Sequence, residues 1–317
     1  MNGEMAQDFL TTPDDVRLAV YAAGPDDGPL LLLAGGLLGG VAAWRPLVER
    51  FAHRYRVVSW DYRGLYHSFP PPGGDYSLAR QCDDLEAVLA WTGRNSAILA
   101  GWSVGAQVAI EVCRRRPDLV RALVLVNGCA GRMLSGDFAP SWLKVAAPLA
   151  LRLLRRAGPG LALAAPVALG SEAALAFARS AHLVSPTLDS DITREILDDL
   201  ARLDPEALAS TIAEMDAGDV RDALAGLGVP TLVLAGDQDR VTPPEIAHRM
   251  AREIPGAELL VIKGGSHLVP LEYPAVIGLR LEKFLRERVP GIGASTVSRR
   301  PAGTSTRRPA GARSRRT

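Results

Sequence analysis

Short runs of apolar residues recur along the chain and predict buried β-strands. The runs LLLLA, AILAG, ALVLV and TLVLA are almost wholly apolar, which is typical of strands buried on both faces of a sheet. The predicted strands are Val16–Ala22, Pro29–Ala34, Arg56–Trp60, Ser96–Gly101, Arg121–Val126, Pro230–Ala235 and Glu258–Ile262.

Segments with apolar residues at helical spacing lie between these strands. Trp44–Arg54, Leu78–Trp91 and Val104–Arg116 each have this pattern. Because strands and helices alternate, the chain is predicted to have an α/β fold, with a mostly parallel sheet flanked by helices on both faces.

The alternation is interrupted in the second third of the chain. From about Met133 to Gly226 the sequence is almost entirely helix-forming, with breaks at prolines and glycines, and strand patterning resumes at Val229. We interpret residues 132–226 as a helical cap inserted over the carboxyl edge of the sheet. Residues 1–131 and 227–290 are then the core.

Charge is balanced over the 317 residues, with 36 basic and 35 acidic side chains, which argues against a nucleic-acid-binding protein. Residues 291–317 differ, because they contain seven arginines and no acidic residue. Without those arginines, 29 basic residues face 35 acidic ones, about −6. We predict that 291–317 is a disordered Arg-rich tail, since it contains too few apolar residues to pack.

Cysteine content and hydropathy indicate the compartment. Cys82, Cys113 and Cys129 form no even-numbered framework, so reduced, buried thiols are expected. The amino terminus has no basic start followed by an apolar run, and no uncharged apolar stretch reaches 18 residues. We therefore expect a cytoplasmic protein without stable membrane insertion; the sequence does not predict its oligomeric state.

The pentapeptide Gly101-Trp102-Ser103-Val104-Gly105 separates a predicted strand from a predicted helix. A G-x-S-x-G sequence at such a junction is typical of a nucleophile elbow, in which a sharp turn exposes the serine hydroxyl. The glycines leave room for neighbouring backbone, and the Val104 amide at the helix start can stabilise a developing oxyanion. The structural alternative is a glycine-rich turn with a surface serine.

A base and an acid follow the elbow in the chain. His267 comes just after the strand Glu258–Ile262, and the loop after Pro230–Ala235 carries two aspartates, Asp237 and Asp239. Either aspartate could orient the histidine, and the other would be a turn residue. No two of the five histidines have metal-ligand spacing, so neither metal nor cofactor is expected.

The chain resembles the α/β-hydrolase superfamily over about 290 residues. The segments that carry the resemblance are LLLLAGGLLGG (30–40), DYRGLYHS (61–68), GWSVG (101–105), GDQDRVTP (236–243) and GGSH (264–267). The resemblance implies a Ser103–His267–Asp239 triad and an oxyanion hole formed by the amides of Gly36 and Val104.

This resemblance has two departures. Ala34 stands where the family has a histidine that often braces the oxyanion loop, and Tyr66 replaces the second glycine of the DxRGxGxS motif. The oxyanion pocket is therefore expected to be looser or braced differently, and Tyr66 to narrow or line the pocket. The other expected pocket residues are Gly35, Leu37 and Trp102.

Three functions are compatible with these motifs. The first is hydrolysis of carboxylic esters with an apolar acyl group, because the predicted cap helices, which include Leu161–Leu169 and Ala173–Ala181, are rich in Ala and Leu. The alternative is that these side chains only pack the cap onto the core. The second is cofactor-free haloperoxidase or perhydrolase activity, which uses the same triad. The third is a non-catalytic, ligand-binding scaffold, which the complete triad disfavours. Trp102 resembles the elbow residue of methyl-ester carboxylesterases.

Overall fold

The computed structural model describes residues 5–37, 39–139, 141–156, 171–173, 176, 179, 184, 185 and 188–291. The helical predictions over 161–169, most of 173–181 and the tail beyond residue 291 lie outside these residues. The strands of the sheet are β1 (Ala6–Thr11), β2 (Arg17–Ala23), β3 (Leu30–Ala34), β4 (Arg56–Trp60), β5 (Ala97–Trp102), β6 (Val120–Val126), β7 (Thr231–Gly236) and β8 (Glu258–Ile262).

The strands form one sheet in the order β1-β2-β4-β3-β5-β6-β7-β8. Pairing is parallel from β4 to β8, whereas β2 runs antiparallel to both β1 and β4. The predicted mostly parallel α/β sheet is therefore confirmed. Strand β1 was not predicted, because most of its residues are exposed and no apolar run marks it.

Helices connect and cover the strands. The α-helices are α1 (Arg45–Phe51), α2 (Leu78–Trp91), α3 (Val104–Arg115), α4 (Ser141–Arg156), α5 (Ser190–Ala201), α6 (Pro205–Ala217), α7 (Pro244–Glu253), α8 (Val269–Glu272) and α9 (Pro274–Arg288). Short 3-10 helices occur at Gly40–Trp44, Pro117–Leu119 and Arg221–Gly226. Within the described ranges, no helix has the length and apolar composition that crossing a bilayer requires.

Two apolar cores lie on opposite faces of the sheet. In β3, Leu30 and Leu32 pack into the core that contains α2 and α3, whereas Leu31 and Leu33 pack into the core that contains α1 and α9. Alternate residues of a strand point to opposite faces, so a continuous apolar run serves both cores.

The segment between β6 and β7 adds no strand to the sheet in its described residues. Its helices α4 and α6 pack against each other. The assignment of residues 132–226 to a cap remains a prediction.

Strands β3 and β5 are neighbours in the sheet. The connection after β3 leads to β4 on one side, whereas the connection after β5 leads to β6 on the other side. Loops diverge at such a switch point and leave a crevice at the carboxyl ends of the strands, where open α/β sheets usually bind ligands. The loops after β3, β5, β7 and β8 all reach this edge.

Candidate active site

Ser103 occupies the turn between β5 and α3 with φ 57° and ψ −121°, a conformation that non-glycine residues rarely adopt. The elbow glycines allow this turn to pack closely. A Cβ on Gly101 would lie 2.4 Å from the carbonyl oxygen of Gly105, and one on Gly105 would lie 2.2 Å from that of Ala34. No Cβ fits at either distance, so both positions require glycine.

His267 lies in the loop after β8 and is buried, and its Nε2 is 3.0 Å from Ser103 Oγ. The indole Nε1 of Trp102, the residue before the serine, donates a hydrogen bond to the carbonyl oxygen of His267 at 3.0 Å. The elbow therefore holds both the serine and the backbone of the histidine.

Asp239 lies with its Oδ2 2.8 Å from Nδ1 of His267. Its Oδ1 accepts hydrogen bonds from the amides of Val241 and Thr242 at 2.8 and 2.9 Å, which fix the carboxylate. Asp237 instead accepts a hydrogen bond from the amide of Gly264 at 2.7 Å, on the exposed side of the loop. Of the two candidate aspartates, the fold brings Asp239 to the histidine, and with Asp239 as acceptor the proton is assigned to Nδ1.

Asn127 connects three loops of the site, and sequence reasoning missed it. It follows β6 directly with φ 41° and is buried. Its Nδ2 donates to the carbonyl oxygen of Ser266 at 2.7 Å, and its Oδ1 accepts from the amide of Gly236 at 3.0 Å. In the sequence, Asn127 is marked by its position directly after the apolar run ALVLV, at the end of a predicted strand.

Thr242 is a second residue that sequence reasoning missed. Its Oγ1 lies 2.7 Å from Oδ2 of Asp239 and 2.8 Å from the carbonyl oxygen of Asn127. The loops after β6 and β7 are thereby joined at the carboxylate, and Asp239 is fixed from both sides.

The predicted oxyanion residues lie beside the serine. Gly36 is so close that a Cβ there would be 3.3 Å from the Cβ of Ser103. The amide of Val104 begins α3, and the first amides of a helix have no partner within the helix. Both residues face the cavity that contains Ser103.

Two tyrosines brace the loop that carries Gly36. The hydroxyl of Tyr62 donates to the carbonyl oxygen of Gly35 at 2.7 Å, and that of Tyr66 donates to the carbonyl oxygen of Leu37 at 2.9 Å. Burial raises the pKa of both phenols, so they remain donors throughout the neutral range. The loop that lacks the family histidine is thus held on both sides of Gly36.

An open cavity, here called the inner cavity, contains Ser103 and His267 in its lining. Its lining is otherwise almost entirely apolar and comprises Gly36, Leu37, Trp102, Val104, Met133, Leu134, Ala147, Ala150, Leu151, Ile212 and Val241. Of the expected pocket residues, Leu37 and Trp102 line it, whereas Gly35 and Tyr66 are not among its described lining residues. The hydroxyl of Tyr66 instead donates to the carbonyl oxygen of Leu37, which lines the cavity.

No group of three or more His, Cys, Asp or Glu side chains is placed to hold a metal ion in the part of the chain that the structure describes. The polar groups around Ser103 are those of the Ser–His–Asp chain and the loop amides. Their arrangement suits proton transfer and the stabilisation of negative charge on oxygen.

The α/β-hydrolase fold family matches residues 29–274. RutD of Azorhizobium caulinodans, a carbamate hydrolase by its name, is 26% identical over 278 residues, which are 86% of this chain and 96% of RutD. Polyketide synthase ThaQ of Burkholderia thailandensis is 31% identical over 301 residues, which are 91% of this chain and 13% of ThaQ.

A thermophilic esterase of Thermogutta terrifontis is similar in structure, with a TM-score of 0.72 and 26% identity over 90% of this chain and 99% of the esterase. The structural similarity agrees with the α/β fold described above, and the names of these relatives support a hydrolase. The chain belongs to the α/β-hydrolase fold family.

Proposed function

We propose that the protein hydrolyses carboxylic esters through an acyl-enzyme on Ser103. The observation that carries the proposal is the continuous hydrogen-bonded chain from Ser103 Oγ through His267 to Asp239, with distances of 3.0 and 2.8 Å. A nucleophile, a base in contact with it and a carboxylate that orients the base are the groups that acyl transfer requires.

Acylation begins when Ser103 Oγ attacks the ester carbonyl carbon and its proton passes to Nε2 of His267. The new C–O bond gives a tetrahedral oxyanion, and the Asp239 carboxylate stabilises the imidazolium. When the intermediate collapses, the bond to the alcohol oxygen breaks and Nε2 returns its proton to that oxygen. The alcohol leaves, and the acyl group remains esterified to Ser103.

Deacylation repeats these steps with water. Water attacks the acyl carbonyl while its proton passes to Nε2 of His267, and the second tetrahedral intermediate expels Ser103 Oγ, which recovers that proton. The carboxylic acid is released. Amides of Gly36 and Val104 are the donors proposed for both oxyanions, and a well-placed donor of this kind lowers the barrier by about 2.7–4 kcal/mol.

The inner cavity supports an apolar acyl group. Its lining offers few polar partners beyond the reacting groups, so a charged group next to the carbonyl would lose its hydration without compensation. Burial of each methylene contributes about 0.8 kcal/mol, so we expect kcat/KM to rise with acyl length until the cavity is filled.

The proposal is tested with a fluorophosphonate probe and a series of 4-nitrophenyl esters from acetyl to decanoyl. We expect wild type to be labelled and to turn over the esters, and Ser103→Ala to do neither. Ser96→Ala is the matched control, because Ser96 lies before β5, at the other end of the strand from Ser103. A folded wild type that is not labelled would favour the ligand-binding scaffold.

A 4-nitrophenyl carbamate belongs in the same series, because RutD is named for that substrate class. We expect a higher kcat/KM for the carboxylic ester with the same leaving group. Preference for the carbamate would overturn the ester assignment while leaving Ser103 as the nucleophile.

A further inference from the structure

A second open cavity, here called the outer cavity, adjoins the inner cavity. Leu134, Ala147 and Leu151 line both cavities, so the two cavities meet at these three residues. The remaining lining residues of the outer cavity are Ser135, Lys144, Pro148, Arg152, Arg155, Ala213 and Asp216.

The outer cavity is basic, whereas the inner cavity is apolar. Lys144, Arg152 and Arg155 lie on one helix, α4, at spacings that repeat on one face. The three side chains are exposed, and within the described residues none of them forms an ion pair. Among the described lining residues, three cations therefore stand against one carboxylate, that of Asp216.

Asp216 is the acidic residue in this lining, and its oxygens are already engaged. The amide of Leu134 donates to Oδ1 at 2.5 Å, and the hydroxyl of Ser135 donates to Oδ2 at 2.8 Å. Asp216 thus fixes Leu134 and Ser135 at the junction of the two cavities, and the remaining lining carries a net positive charge.

We propose that the outer cavity binds an anionic group of the substrate, a carboxylate or a phosphate, whose apolar segment lies in the inner cavity. This inference rests on the proposed ester hydrolysis and narrows its substrate class to esters that are apolar near the carbonyl and anionic farther away. Arginine and lysine suit both anions, since guanidinium groups pair with carboxylate and phosphate oxygens and lysine supplies a point charge.

The expected gain is moderate. Ion pairs at an exposed site contribute little each and are screened by salt, so three together give about a tenfold preference at low ionic strength. The preference should decline toward unity as salt is added, whereas hydrolysis of neutral esters should change little.

The experiment compares matched pairs of substrates. One pair is a half-ester of a dicarboxylic acid with 4-nitrophenol and the monocarboxylic ester of equal length, over four to ten carbons. The other is 4-(phosphonooxy)phenyl octanoate and phenyl octanoate, which places the anion on the leaving group. The readout is the ratio of kcat/KM for the anionic and neutral members of each pair.

The variants are Arg152→Gln and Arg155→Gln singly, and these two combined with Lys144→Gln. Arg156→Gln is the matched control, because Arg156 lies on the same helix and is exposed but does not line the outer cavity. We expect the ratio to fall about twofold in each single variant and about tenfold in the triple variant, as for exposed charge pairs, with little change in the control.

The pair whose ratio falls in the variants shows whether the site binds a carboxylate on the acyl group or a phosphate on the leaving group. If neither pair responds, or if Arg156→Gln lowers the ratio as much as Arg152→Gln, the outer cavity is not the anion site. Failure of the proposed function gives a different result, the absence of turnover of every neutral ester. Calorimetric binding of the half-amide of octanedioic acid against octanamide then tests the site without turnover, and equal affinities would overturn it.

Discussion

The side-chain amide of Asn127 donates a 2.7 Å hydrogen bond to the carbonyl oxygen of Ser266, the residue immediately before His267. The same side chain accepts a hydrogen bond from Gly236, the last residue of β7. One buried amide thus ties the loop of the proposed base to the strand that leads to Asp239. Asn127 is buried and is not among the described residues that line the inner cavity, so its proposed role is positioning.

Replacement of Asn127 should lower kcat more than KM. Asn127→Ala leaves a buried carbonyl and a buried amide without partners, which costs about 1–3 kcal/mol each in the free energy of unfolding. It also places alanine at φ 41°, where asparagine is better tolerated. We expect a loss of kcat of about tenfold or more, measured with a 4-nitrophenyl ester.

Asn127→Gly separates the two effects, because glycine tolerates the backbone angle but lacks the amide. If the hydrogen bonds matter, kcat falls in both variants and stability falls less in the glycine variant. Normal kcat in Asn127→Gly would show that only the backbone angle is important.

The tyrosine braces should affect the oxyanion loop without changing the acyl preference. Tyr62→Phe and Tyr66→Phe each remove a donor to a loop carbonyl, at a net cost of about 1 kcal/mol, so we expect kcat/KM to fall about fivefold for every acyl length. Tyr55→Phe is the control, since Tyr55 is as buried as Tyr62 and its ring packs on Phe51 of α1. A change in chain-length preference would instead indicate that Tyr66 lines the pocket.

Gly105→Ala should prevent the elbow from forming. The added Cβ would meet the Ala34 carbonyl oxygen at 2.2 Å, and backbone cannot yield as a flexible side chain does. We expect loss of the folded protein or a stability decrease above about 3 kcal/mol. Gly228→Ala is the matched control, because nothing lies within 4 Å of the position its Cβ would take. A stable, active Gly105→Ala protein would contradict the packing described for β5 and α3.

Stability should fall steeply in alkaline solution. Burial raises the pKa of Cys113 to about 11 and that of Cys129 to about 12, from 9.0, and also raises the pKa of Tyr21 and Tyr62. The unfolded chain releases these protons first, so rising pH favours unfolding by up to about 1.4 kcal/mol per pH unit for each such group. Urea titrations from pH 8 to 11 measure the decline.

Cys129→Ala removes one of these groups, and the slope of stability against pH should become smaller by about one proton between pH 9 and 11. An unchanged slope would mean that the Cys129 thiol ionises equally in the folded and unfolded states.

The sequence predicted the sheet because burial on both faces leaves continuous apolar runs, and each predicted interior strand is present to within about two residues at its ends. Strand β1 has no such run. It pairs with β2 through backbone hydrogen bonds, which require no particular side chains. The β1 edge of the sheet therefore carries no readable pattern, whereas the β8 edge does.

The positions of the proposed triad were readable for a similar reason, except that the choice of Asp239 over Asp237 came from the family resemblance. Ser103, Asp239 and His267 each follow a strand that an apolar run predicts, and parallel strands bring their carboxyl ends to one edge. Asn127 and Tyr62 were not readable, because their roles depend on hydrogen bonds to backbone atoms distant in sequence. The outer cavity depends on how α4 packs against α6, which helical periodicity alone does not determine.

The hydroxyl of Thr242 has two acceptors within reach, Oδ2 of Asp239 at 2.7 Å and the carbonyl oxygen of Asn127 at 2.8 Å. A hydroxyl carries a single proton, so it can satisfy one acceptor at a time. Nδ1 of His267 donates to the same Oδ2, and this hydrogen bond becomes stronger when the ring is charged. Rotation about one C–O bond can then move the hydroxyl proton to Asn127, which adjusts the number of donors at the carboxylate during turnover without displacing any heavy atom.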